Sequence, residues 1–119
     1  MKKLAWKKKI VAQCKAVGTY RDPFASVIET LAATLEQRDL VFEEYIDTGA
    51  NPVMEYTNKF GATNTTKNPL LVLWDDLNKS ALAYWRDLGL TPAGLRKIDE
   101  SAMKKKKGNP LAEALKGLG

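Results

Sequence analysis

The residues able to do covalent or metal chemistry are few, and their spacing does not assemble them. The chain of 119 residues has no histidine, which removes Ser-His and Cys-His nucleophile activation and every imidazole metal ligand. Its one cysteine, Cys14, can form neither a thiolate zinc site nor an internal disulfide, and points to an intracellular setting. Asp75 and Asp76 offer the oxygen ligands magnesium takes. Adjacent helical positions diverge by about 100°, however, so the pair reads as a solvated face. No GxxxxGK[ST] loop is present to cradle a phosphate chain. The sequence therefore predicts no catalytic, cofactor-binding or metal-binding residues, and a protein that is not an enzyme.

What remains is the chemistry of binding, and charge is distributed unevenly for it. Residues 1–21 carry Lys2, Lys3, Lys7, Lys8, Lys9, Lys15 and Arg21 without an acid, whereas residues 22–58 carry eight acids against Arg38 alone. Residues 59–119 are basic again, with Arg96, Lys97 and the run Lys104–Lys107. Basic ends flanking an acidic middle predict an anionic partner, nucleic acid above all. The same pattern suits head-to-tail contact between copies of the chain, or simply solvated tails.

The elements that must position these charges are mostly helical. Trp6, Ile10, Cys14 and Val17 recur on one stripe of a helix over residues 2–17, with Lys8, Lys9 and Lys15 off it and Lys7 intruding. Such a helix lies on phosphates or an anionic membrane surface, or packs its stripe and solvates its lysines. Lysines interrupt the apolar start, so no secretory signal is expected, and no run approaches the ~18 uncharged residues of a membrane span. A second helix is expected from Asp22 as cap, with Pro23 at its first turn, to about Asp47. Phe24, Ile28, Leu31, Leu35, Phe42 and Tyr45 mark its apolar face, broken by Arg38. At that length part of the face suits another subunit. Arg38 would then meet a neighbour's Glu36, Asp39, Glu43 or Glu44, or else extend its head to solvent.

Residues 49–68 break the helical pattern and predict a short β-hairpin or an ordered loop. Tyr56 and Phe60, beside Lys59 and Lys67, either stack on bases or pin the segment to the core, the second being the commoner use. A third helix has Asn68 as cap, Pro69 at its start, and Leu70, Trp74, Leu77, Ala81, Tyr84 and Leu88 in unbroken four-three spacing. Gly89 ends it, and Thr91 caps a fourth helix opened by Pro92 and running to about Met103. Beyond Lys104–Lys107, Asn109 and Pro110 specify another start, and Leu111, Ala114, Leu115 and Leu118 form one small stripe. A helix that short docks back or docks on a partner.

The order of "GANPV", "KNPLLVLWDDL" and "LGLTPAGLRKI" resembles the phage terminase small subunit family, in the branch with a Lys-Asn-Pro helix start and a Leu-Gly-Leu-Thr-Pro turn. The match covers about residues 22–100. The family usually places a small residue and then arginine after the proline; here Ala93, Gly94 and Leu95 precede Arg96. The resemblance implies a non-enzymatic subunit that binds viral double-stranded DNA as a multi-copy ring in the host cytoplasm. It also implies a large subunit, carrying ATPase and nuclease, as partner.

Together these readings predict a mainly α, oligomerising protein in three parts: a basic helix over residues 1–21, a helical core over 22–103, and a linker with a partner-docking tail over 104–119. DNA contacts are expected from Lys2, Lys3, Lys7, Lys8, Lys9, Lys15, Arg21, Arg96 and Lys97. The oligomer interface is expected at Arg38, Phe42, Tyr45, Trp74, Leu77 and Tyr84, and large-subunit docking at Leu111, Leu115 and Leu118. No membrane partner is expected. The alternative is a helix-turn-helix transcriptional regulator with residues 70–103 in the major groove; a membrane-surface or scaffold protein is a third class.

Overall fold

Helix α1 (Lys3–Val17) buries Trp6, Ile10 and Cys14 and stops at Gly18, which takes the left-handed conformation at φ 78°. Val17, expected on the same stripe, is 40% exposed, because it lies at the helix end beside an open groove. The computed structural model describes residues 1–101. The boundary expected at Asp22 is corrected in kind: Asp22–Phe24 form a separate 3₁₀ turn with no side-chain cap, and α2 (Ala25–Asp47) follows directly.

Strands β1 (Val53–Thr57) and β2 (Thr63–Lys67) pair antiparallel, Val53 facing Lys67 and Thr57 facing Thr63. This is the hairpin of the two forms expected. Its loop is built by Asn58, whose Oδ1 accepts from the amides of Phe60 at 2.9 Å and Ala62 at 3.1 Å. Helix α3 (Pro69–Asp87) begins as expected: Asn68 Oδ1 accepts from Leu70 N at 3.0 Å, while its Nδ2 donates to Asn51 O across the hairpin base at 2.8 Å. Gly89 turns at φ 73°, Thr91 Oγ1 accepts from Gly94 N at 3.0 Å, and residues 92–101 are helical (α4). The expected continuation to Met103 lies outside the described residues.

The protein is thus mainly helical, with one two-stranded hairpin between the second and third helices. At 1.5 Å per residue α2 is ~35 Å long and α1 only ~22 Å. They run antiparallel, with Lys3 N donating to Glu36 Oε2 at 2.6 Å and Trp6 Nε1 to Asp39 Oδ2 at 2.7 Å. Helix α3 runs back along α2, with Arg38 meeting Asn78 and Phe42 meeting Trp74. Three helices therefore enclose a core of Trp6, Ile10, Cys14, Ile28, Leu31, Ala32, Leu35, Ala81 and Leu88.

Past Asp39, among the described residues, only α2 and α3 remain, as a two-helix arm tipped by the hairpin. That difference explains the burial along α3. Ala81 and Leu88 are buried where three helices meet, with Tyr84 packed at the edge of that core, but Leu70, Trp74 and Leu77 toward the arm are only half-buried. On the arm and hairpin Leu40, Phe42, Ile46, Met54, Tyr56, Leu73 and Phe60 are exposed.

Candidate nucleic-acid interface

The lysines of α1 are held by the stripe beneath them. Glu36 places a carboxylate on the first free amide of α1, which has no acid of its own in its first turn, so a neighbouring helix satisfies the positive end of its dipole. Asp39 gathers Met1 N at 3.0 Å, the Trp6 indole, and Arg38 Nη2 at 3.0 Å. Burial pushes the Asp39 carboxyl upward, but the hydrogen bonds from Trp6, the terminal amine and Arg38, with the Arg38 charge, outweigh it and hold the group below its ordinary value. Arg38 also lies 5.3 Å from the Trp6 ring centre. Its carboxylate partner is therefore Asp39 of its own chain, and its head neither extends freely to solvent nor lacks a partner.

The outer side of α1 carries a shallow depression of about 370 Å³, lined by Leu4, Lys7, Lys8, Val11, Ala12 and Lys15. Lys3 pairs with Glu29 at 3.1 Å, and Lys3 and Lys7 together hold that exposed carboxyl low. Among the described residues Lys2, Lys8, Lys9 and Lys15 make no ion pair. Lys9 rests over Trp6 and Lys15 over Tyr20, each 5.1 Å from the ring centre, which steers the ammonium groups without consuming their donors. Arg21 Nη1 folds back onto the carbonyls of Gly18 and Tyr20.

Arg96 and Lys97 are exposed on α4, at the end of the molecule where α1 finishes. There Ala16 and Val17 of α1 face Pro92 and Leu95 across a groove of about 800 Å³ that also exposes Trp85 and Leu90. The join is fastened by Thr19 Oγ1, which donates to Leu88 O at 2.7 Å in a buried hydrogen bond. Lys15 and Arg21 thus sit at the α4 end of the molecule, while Lys2 and Lys3 sit at the far end of α1, beside the arm.

Gly94 decides what the start of α4 can do. It is buried, and a Cβ there would collide with the carbonyl oxygen and backbone of Arg86. Ala93, Gly94 and Leu95 therefore make a close crossing of α4 over the end of α3. Neither Gly94 nor Thr19 was singled out by sequence for this, because both act on residues distant in the chain or on backbone alone.

Of the expected interface residues, Tyr45 is buried and its hydroxyl donates to Ala50 O at 2.9 Å, pinning the end of α2. Phe42 is exposed, and Arg38, Trp74, Leu77 and Tyr84 are half-buried. Tyr56 and Phe60 do not pin the hairpin to the core; they are 58% and 83% exposed. The pinning expectation fails because the hairpin projects beyond the arm instead of folding back. Leu111, Leu115 and Leu118 lie outside the described residues.

Among the described residues no group of His, Cys, Asp and Glu is placed to hold a metal ion, and no helix is long and apolar enough to cross a membrane. The chain matches no family model, and comparisons with curated proteins and with solved structures find no match.

Proposed function

We propose that this protein is a small terminase subunit of a bacteriophage DNA-packaging motor, acting in the host cytoplasm. In this reading it assembles as a multi-copy ring, binds viral double-stranded DNA through the outer face of α1, and recruits the large ATPase and nuclease subunit through its tail stripe. It supplies no catalytic group and no cofactor. The observation that carries the reading is the segregation of the surface. Unpaired lysines occupy α1, while exposed apolar side chains are concentrated on the arm and hairpin, beside the acids of α2. Polyanionic DNA is drawn to the first region and repelled by the acids of α2 on the arm, so the arm is left for protein contact.

The regulator alternative is weakened by α4. A recognition helix presents polar side chains at its start, yet Gly94 is buried and Leu95 half-buried there.

Two measurements test the proposal. Native mass should give many copies; a monomer or a dimer at all concentrations overturns the ring. Removing Lys2, Lys8, Lys9 and Lys15 one at a time should each flatten the slope of log K against log salt by about one. Unchanged slopes move the contact to Arg96 and Lys97, and absence of DNA binding overturns the reading.

A further inference from the structure

The hairpin and the groove at the root of the arm are complementary surfaces on the same molecule. The hairpin is a two-stranded ribbon with all ten strand residues exposed. It is tied to the body by Asn68, through its amide to Pro52 O and its side chain to Asn51 O. A ribbon that packs on nothing is marginal in water, and this one holds its most exposed aromatic, Phe60, at the tip with Lys59 5.4 Å from the ring centre.

The groove lies where α1 begins, at the Met1 end. There a cavity of about 470 Å³ stays open, walled by Phe42, Glu43, Trp74, Asn78 and the cluster of Met1, Arg38 and Asp39, in which Asp39 takes up both cations. The Phe42 and Trp74 rings, 5.6 Å apart at 36°, give it an aromatic floor. Glu43 lines it, and Glu44 and Asp47 follow on the last turn of α2, which carries no basic residue. Acids at that end add to the negative pole of the helix instead of offsetting it. None of the three carboxylates is in an ion pair among the described residues, nor is Lys59 or Lys67. With Met1 and Arg38 already paired to Asp39, Glu43 is the wall carboxylate left without an ion pair among the described residues, so the groove suits a cationic, aromatic visitor.

We propose that the hairpin tip of one copy docks in this groove of a second copy, Phe60 against Phe42 and Trp74 with Lys59 among the α2 carboxylates. The proposal rests on the self-assembly reading and names its contact. Tip and groove are different patches, so the contact is head-to-tail and propagates from copy to copy until rotation closes it.

Cysteine cross-linking of full-length chains tests it, since Phe60 and Phe42 are both exposed and Cys14 is fully buried. Under mild oxidation a mixture of Phe60→Cys and Phe42→Cys chains should give disulfide-linked pairs containing one of each, with none from the native chain. Lys59→Glu should weaken assembly at least tenfold in concentration, and adding Glu43→Lys should recover part of that loss. Pairs formed by Phe60→Cys alone would mean tip-to-tip contact and overturn the proposal, as would an intact oligomer that yields no mixed pair. A native chain that is monomeric at every concentration would remove the self-assembly reading itself, a separate outcome read before any variant is made.

Discussion

Asp39 is the most heavily used carboxylate in the described molecule, and its chemistry has a pH signature. Its folded-state pKa lies below the ordinary value, so its contribution is complete above the unfolded pKa of ~3.9 and is lost as pH falls through the lower folded value. Asp39→Asn should cost about 1.5–3 kcal/mol at neutral pH, the scale of hydrogen bonds to a charged group. It should also flatten the acid limb of a stability-against-pH curve; an unaltered limb would remove Asp39 from the account. Gly94 fails by a different route. Gly94→Ala adds a Cβ against the Arg86 carbonyl, and because backbone cannot step aside cheaply, denaturant unfolding should show a loss of about 1–3 kcal/mol. Equal stability would mean that α4 crosses α3 less closely.

At the scale of elements, the helices differ in how many neighbours they have. Helix α1, residues 25–39 of α2 and the second half of α3 share one three-helix core; among the described residues the arm and hairpin have no third layer. Amide exchange should therefore be about tenfold or more faster in residues 40–47, 53–67 and 70–76 than in the core segments when the chain is kept dilute. Uniform protection would contradict this division. The same difference separates what the sequence discloses from what it hides. Asn68 with Pro69, and Gly89 with Thr91, are legible because each acts on the backbone within three residues of itself. The unbroken stripe from Leu70 to Leu88 correctly predicts a helix, yet it cannot tell that α1 begins only at Lys3 and leaves Trp74 and Leu77 half-covered. Asp22 carries the right residue types for a cap, but the chain spends them on a 3₁₀ turn. Arg38 reads as an anomaly until its distant neighbours Trp6 and Asn78 are in place. Of the candidate site, the lysines are visible in the sequence; which of them are spent on Glu29, and which remain free, depends on contacts 26 residues apart.

For the whole molecule, the proposed division of labour assigns DNA to α1, self-contact to the arm and the large subunit to the tail. The three should be separable. Truncation after Lys107 should leave oligomer mass and DNA affinity within about twofold while abolishing binding to the large subunit. Unchanged affinity for the large subunit would move that contact off Leu111, Leu115 and Leu118.

The buried hydrogen bond from Thr19 to Leu88 joins positions 69 residues apart, and this has a consequence for synthesis. The ribosome delivers α1 first, but the surface that covers Trp6, Ile10 and Cys14 is completed only when α2 and the second half of α3 have emerged. Until then a basic helix with a bare apolar stripe waits beside the nascent chain, and the closing contact carries a large loop-entropy penalty. The slow and aggregation-exposed phase of folding therefore falls before Leu88 leaves the exit tunnel. Codon changes that delay translation between residues 40 and 88 lengthen that interval without altering the finished protein.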